Sequence, residues 1–168
     1  MQFTPRKLVF EVRSCGRDFS MNYRIVKSMN YDDTIEMCNE AGLEMKPDEK
    51  APEGLMATFQ IFDDSRDGKQ VACGSLAYEH GQNLIRAVAV DKEYRGLGLG
   101  RVIVEHILEE ARTRELEELM LTAKVAGFYK KFGFEIVPRE EAPEGFTDCI
   151  GCPRFHNGCD SEIMRLVL

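Results

Sequence analysis

The sequence predicts an α/β domain built on a mixed sheet, and three observations predict it. Short runs with strand-like patterning, separated by turn-rich spacers, fill the first half. A long amphipathic stretch of helical period follows a turn with three glycines. Beyond it, short strand and helix patterns alternate to the end, an order that implies helices packed on a mixed sheet. We read residues 1–168 as a single domain, with 1–21 as an N-terminal extension and 138–160 as a cysteine-containing C-terminal loop.

Each element follows from its local pattern. In residues 7–13, Leu8, Phe10 and Val12 recur at period two, which suggests a strand, and 23–27 suggests a second one. Asp32 or Asp33 is placed to cap a helix carrying Ile35, Cys38 and Ala41, which Gly42 would end. Residues 44–54, charged and interrupted by prolines, read as an exposed loop. Three strand-like runs follow at 55–62, 70–78 and 84–90, separated by DDSRDGKQ and EHGQN, which makes an antiparallel meander. From the glycine-rich segment 95–100 a helix runs to about Arg114, with Ile103, Val104, Ile107, Leu108 and Ala111 on one stripe. Residues 118–123 read as a short buried strand, 125–131 as a short helix and 134–137 as another strand. Residues 161–168 read as a final edge strand.

Composition narrows the function. The 168-residue chain is 43% apolar and 30% charged, an ordinary globular balance. A net charge of −7 disfavours a nucleic-acid partner, whose phosphates an acidic surface repels. No apolar run approaches the ~20 residues that span a bilayer, and the first residues lack the apolar core of a secretory signal. We therefore expect a cytoplasmic protein without a membrane partner, whose six cysteines serve as free thiols, a metal site or a redox pair.

The segment AVAVDKEYRGLGLGRVIVEHILEEA carries most of the functional information. A strand ends at Val90, and a turn with Gly96, Gly98 and Gly100 leads directly into the long helix. The first turn of a helix leaves N–H groups without partners, and the helix dipole favours anions there. Glycines let that backbone converge on a phosphate, and Arg95 and Arg101 flank it. The alternative is a plain strand-to-helix connection. A Walker loop is excluded because Arg101 and Val102 follow Gly100, where Lys-Ser/Thr is required. A dinucleotide fingerprint is excluded by the G-x-G-x-G spacing and by the position after a meander.

Arg95-Gly96-Leu97-Gly98-Leu99-Gly100 resembles the R/Q-x-x-G-x-G/A motif of the GNAT (GCN5-related) N-acetyltransferases, and Ala87-Val88-Ala89-Val90-Asp91 resembles the strand leading into it. Phe128-Tyr129-Lys130-Lys131-Phe132-Gly133-Phe134 resembles the family's second signature, F-Y-x-x-x-G-F. The likeness covers roughly residues 22–137. It implies a mostly antiparallel sheet of six or seven strands, flanked by helices and splayed at a parallel pair formed by residues 84–90 and 118–123. It implies acetyl-CoA in that splay. Backbone groups of Val88, Ala89 and Val90 would meet the pantetheine, and N–H groups of Gly96, Leu97, Gly98, Leu99, Gly100 and Arg101 the pyrophosphate, with Arg95 flanking it. An N–H near Val88 would stabilise the oxyanion formed as an amine attacks directly. Tyr129 matches the family tyrosine that commonly protonates the leaving thiolate, and its alternative is a packed aromatic.

The general base is less defined. Relatives often carry a glutamate in the strand before the glycine turn, whereas Arg86 stands near that place here. Glu79 and His80 are substitutes by proximity, and each also reads as a solvated turn residue; a base acting through water is the third route. His106 reads as a half-buried helix residue.

Cys149, Cys152, His156 and Cys159 form C-x2-C-x3-H-x2-C, a donor set that suits tetrahedral zinc; packed free thiols and a reversible disulfide are the alternatives. The C-x-x-C-P segment with a following C-D-x-x-x-M also resembles short stand-alone N-acetylglutamate synthases. That resemblance implies an amino-acid acceptor, glutamate-like, with Arg86, Lys124 or Arg24 to meet its carboxylate. Residues 1–21 would add a strand at a sheet edge or join a homodimer contact. The competing functions are a protein N-acetyltransferase and a non-catalytic acyl-CoA-binding or metal/redox-sensing module.

Overall fold

The computed structural model describes residues 22–43, 45, 48–143, 146, 153, 154 and 157–168. The strand expected at residues 7–13 and three of the four expected zinc ligands, Cys149, Cys152 and His156, lie outside the described residues.

Among the described residues, seven strands form one sheet in the order β1-β2-β3-β4-β5-β7-β6. Strands β1 (Tyr23–Ser28), β2 (Gly54–Asp63), β3 (Lys69–Glu79) and β4 (Gln82–Val90) make the expected antiparallel meander. The β3–β4 connection is His80-Gly81, both at positive φ, as a two-residue hairpin turn requires. His80 is therefore an exposed turn residue.

Strand β5 (Glu118–Ala123) runs parallel to β4, and the register between them holds at one pair, Leu84↔Met120. Beyond that pair the two strands part. Strand β7 (Glu162–Val167) pairs with β5 along its whole length and carries the two-residue β6 (Glu135–Ile136) on its other side. The expected final edge strand is thus an inner one. Its Ile163 and Met164 point to opposite faces and both are buried, which an edge strand open to water on one face does not need.

Two helices cover opposite faces of the meander. Helix α2 (Leu99–Thr113) buries Leu99, Ile103, Val104, Ile107, Leu108 and Ala111, the stripe its period predicts. It lies so close to β3 that a Cβ at Gly74 would overlap Ile103 Cγ2. Helix α1 (Asp32–Glu40) buries Thr34, Met37 and Cys38, and with Ala41 packs against Cys73 and Ala89 on the other face. The expected stripe included Ile35, which is only half-buried. The capping also differs: Asn30 accepts from the Asp33 N–H and donates to its carboxylate, while Asp32 and Asp33 occupy the first turn, where the dipole favours acids. Gly42, at φ +85°, ends the helix as expected. Helix α3 (Ala126–Lys130) sets Phe128 and Tyr129 against the α2-side core. Among the described residues no helix is long and apolar enough to cross a membrane.

Candidate active site

The parting of β4 from β5 opens a cleft with two connected parts that share Val90, Arg95, Gly100 and Phe128. One part, about 420 Å³, lies over the glycine turn; the other, about 560 Å³, runs along β4 between the end of α1 and α3.

The glycine turn is held rigidly. Asp91 accepts from the Glu93 N–H and pairs with Lys69 at 2.8 Å, fixing the short turn of Lys92–Tyr94. Tyr94, 3% exposed, donates to Asp63 at 2.9 Å and so pins the turn to β2. Asp63 is buried, which alone would raise its pKa. The hydrogen bonds from Ser65 and Tyr94 outweigh that and hold it below the usual carboxylate range.

Gly96 and Gly98 both lie at φ near +80°, and a side chain at either would meet no neighbour. They are glycines for their backbone, not for want of room. Helix α2 begins at Gly98 with no side-chain cap and no acidic residue in its first turn. The first orphaned N–H groups of α2 and its positive dipole end therefore face the cleft with no anion from the helix's own first turn beside them. Arg101 and Lys131 add cationic groups to the same lining. Arg101 is mostly exposed and paired with Glu105 at 2.6 Å, a weak surface interaction that an incoming anion can replace. This donor set fits a pyrophosphate.

Nine of the ten residues expected to meet the cofactor line the cleft: Val88, Ala89, Val90, Arg95, Gly96, Gly98, Leu99, Gly100 and Arg101. Leu97 packs against the α2-side core instead. Arg95 also ties the turn to the end of α1, since its guanidinium donates to the Ala41 carbonyl at 2.7 Å and to Val90 O at 3.4 Å.

Tyr129 lines the larger part of the cleft. Its ring meets Phe128 and Phe134 edge-on at 4.9 and 5.9 Å, and burial pushes its pKa up to about 12. The hydroxyl stays protonated across the neutral range.

Arg86 also lines the cleft, and two carboxylates engage it: Glu79, and Glu49 at 3.0 Å. Burial opposes the guanidinium's charge, yet Tyr31 and these carboxylates raise its pKa. Glu79, expected as a base, is thus an ion-pair partner of Arg86 and is not itself a lining residue. Tyr31 stands beside them at 2% exposure, its hydroxyl without a hydrogen-bond partner among the described residues. Lys124 lines the β5 side. Arg24 is elsewhere: it pairs with Asp64 and lies 4.7 Å over the Phe62 ring on the β1–β2 side.

Of the expected zinc ligands, Cys159 is described. Its Sγ lies 3.0 Å from Ser161 Oγ, and that contact pulls its pKa down. Among the described residues no three His, Cys, Asp or Glu side chains gather as a metal site. His106 is half-buried, its Nδ1 2.8 Å from Val102 O, as expected of a helix residue. Sequence reasoning missed Lys131, Tyr31 and the ion pairs of Arg86, because none carries a local signal. It also missed a buried thiol pair, Cys38 and Cys73, whose partners are 35 residues apart in the chain.

Residues 58–136 match the acetyltransferase (GNAT) domain family. An uncharacterized N-acetyltransferase of Chlorobaculum tepidum is 29% identical over 126 residues, 68% of this chain and 81% of that protein. An amino-acid acetyltransferase of Mannheimia succiniciproducens is 28% identical over 78% of this chain, which spans only 31% of that enzyme. Among solved structures, N-acetylglutamate synthase from Neisseria gonorrhoeae, complexed with coenzyme A and N-acetyl-glutamate, superposes with a TM-score of 0.64. The identity is 17%, over 86% of this chain and 35% of that one, a likeness of fold. A parallel pair parted over an uncapped helix start thus lies within the segment that matches the acetyltransferase (GNAT) domain family.

Proposed function

We propose that the chain transfers an acetyl group from acetyl-CoA to the primary amine of an amino acid, glutamate-like by preference, through direct attack in this cleft. The observation that carries this reading is continuity. One cleft joins the uncapped start of α2 to the pocket holding Tyr129 and Arg86, along the free edge of β4.

In this reading the amides of residues 96–101 hold the pyrophosphate, and the edge from Val88 to Val90 holds the pantetheine as an added strand would. The Val88 N–H stabilises the charge that develops on the thioester oxygen. The Tyr129 hydroxyl donates to the departing sulfur. The Arg86 guanidinium, which lines the cleft, suits the carboxylate of an amino acid. Lys124, on the other wall, suits a second carboxylate. The amine loses its proton to water.

One observation favours a second acceptor class. Arg86 faces two carboxylates, so the cluster carries a net negative charge, which suits a cationic amine such as a peptidyl lysine over a diacid. Mass spectrometry of acetyl transfer to glutamate, other amino acids, polyamines and lysine peptides separates the two. We expect turnover on amino acids. Turnover confined to peptides establishes the second class, and no transfer to any amine despite bound acetyl-CoA refutes both.

A further inference from the structure

We propose that Cys38 and Cys73 are positioning residues for acyl transfer: their thiols hold the Ala87 carbonyl on the α1 side of the sheet and thereby aim the Val88 N–H into the cleft. The inference rests on the oxyanion role given to that N–H above.

Strand β4 carries a bulge at this point. Cys73 pairs with Ala89 and Ser75 with Arg86, so two residues, Ala87 and Val88, oppose the single Gly74. Ala87 adopts φ +55°, a left-handed conformation that alanine rarely takes and that surrounding contacts must maintain. The contacts are visible. Cys38 Sγ, from α1, and Cys73 Sγ, from β3, each donate to Ala87 O at 3.4 Å, and the two sulfurs are 4.0 Å apart. Both residues are fully buried. The contact with Cys38 and then burial raise the Cys73 pKa well above the usual thiol value, so it keeps the proton it donates.

A planar trans peptide sets the carbonyl of one residue and the N–H of the next in opposite directions. Two thiols drawing Ala87 O toward β3 and α1 therefore turn the Val88 N–H toward the parted side of β4. Each S–H is a weak donor, but two of them converge on one acceptor. Free rotation of that peptide would leave the thioester oxygen without its donor, while the phosphate end of the cleft stayed intact.

The test compares Cys38→Ala, Cys73→Ala, the double alanine variant and the double serine variant. Backbone amide NMR and steady-state kinetics are the readouts. In the double alanine variant we expect exchange broadening at the Val88 amide, with Phe59 and Ile61 on β2 unaffected. We expect kcat to fall roughly tenfold, less than the ~10²–10³ of losing an oxyanion donor outright, and the acetyl-CoA KM to stay within about twofold. Either single variant keeps one donor and most of kcat, and serine, which restores a donor at both places, recovers much of the loss. A double alanine variant that melts earlier but keeps the Val88 amide and kcat overturns the proposal and leaves the thiols a packing role. Absence of turnover in the wild type refutes the proposed function instead, and the Val88 amide then decides the positioning claim without kinetics.

Discussion

Replacing Tyr129 by Phe removes one oxygen and keeps the ring. The edge contacts with Phe128 and Phe134 survive, so the melting temperature should hardly move. The size of the kinetic effect follows from the burial of the hydroxyl. With its pKa pushed up to about 12, it does not hand a proton outright to a thiolate whose ordinary pKa is about 8.5. It is suited to hydrogen-bonding the sulfur as charge builds there, which places its contribution at the low end of the ~10²–10⁴ range of acid catalysis. We therefore expect kcat to fall about 100-fold, about 2.7 kcal/mol of barrier, with acetyl-CoA affinity retained. The assay is mass-spectrometric quantitation of acetylated product between pH 6 and 10, with acetyl-CoA affinity by calorimetry. Thiol-reactive dyes are unsuitable in a chain with six cysteines. No loss of rate from Tyr129 ionisation should appear below about pH 10. A variant within threefold of wild-type kcat, or one that loses only affinity, would refute the acid role.

Gly98→Ala forces a side chain into left-handed backbone and should cost about 1–2 kcal/mol and raise the acetyl-CoA KM. Gly100→Ala should not destabilise, since its Cβ would make ordinary contact with Val90 and Phe128; equal melting losses in the two variants would refute the distinction. Glu79→Gln should raise the acceptor KM several-fold with kcat little changed, because it loosens Arg86; a collapse of kcat at low pH, rescued as pH rises, would instead make Glu79 the base. Tyr23, Tyr31, Tyr94 and Tyr129 are all pushed up to about 12, chiefly by burial, whereas unfolded tyrosine titrates near 10. The folded state holds these protons more tightly. Their stabilisation is complete below about pH 10 and is lost as pH rises toward 12. Urea unfolding at pH 9, 10 and 11 should show the midpoint dropping over the last step, less steeply in Tyr129→Phe; a flat midpoint contradicts this.

The meander and the long helix were legible because period two and period 3.6 are local properties of the chain. The glycine turn was legible because its chemistry is local too: φ near +80° at Gly96 and Gly98 requires glycine, and the adjoining helix start supplies the donors. The place of β7 was not legible, since pairing partners are not encoded in a strand's own alternation. Nor was the fate of the cations. Arg24, Arg86 and Arg95 look alike in sequence, yet one pairs with Asp64 away from the cleft, one is engaged by two glutamates in the cleft wall, and one ties α1 to the turn. The burial pattern of α1 depends on where β3 and β4 lie beneath it, which is why Met37 rather than Ile35 faces inward.

One extra residue in β4 links these features. A bulge bends its strand and increases the local twist, and here β4 keeps a single register pair with β5, on the near side of the bulge. The same irregularity therefore sits where the cleft opens and where Val88, the proposed oxyanion donor, lines it. Gly74 is the other half of this device. Without a Cβ it lets Ile103 and Ile107 of α2 and Val88 of β4 close on one spot of β3. Helix α2 thus rests on the bulge at its second and third turns while its first turn lines the cleft. The spacing between the two ends of the cleft is consequently fixed by close packing of a helix on a strand, which resists displacement, and not by the loops at the rim. In the proposed reaction, an acyl group held through its distant phosphates would then reach Val88 with little left to adjust, which is how binding energy far from the reacting carbon can serve the chemical step.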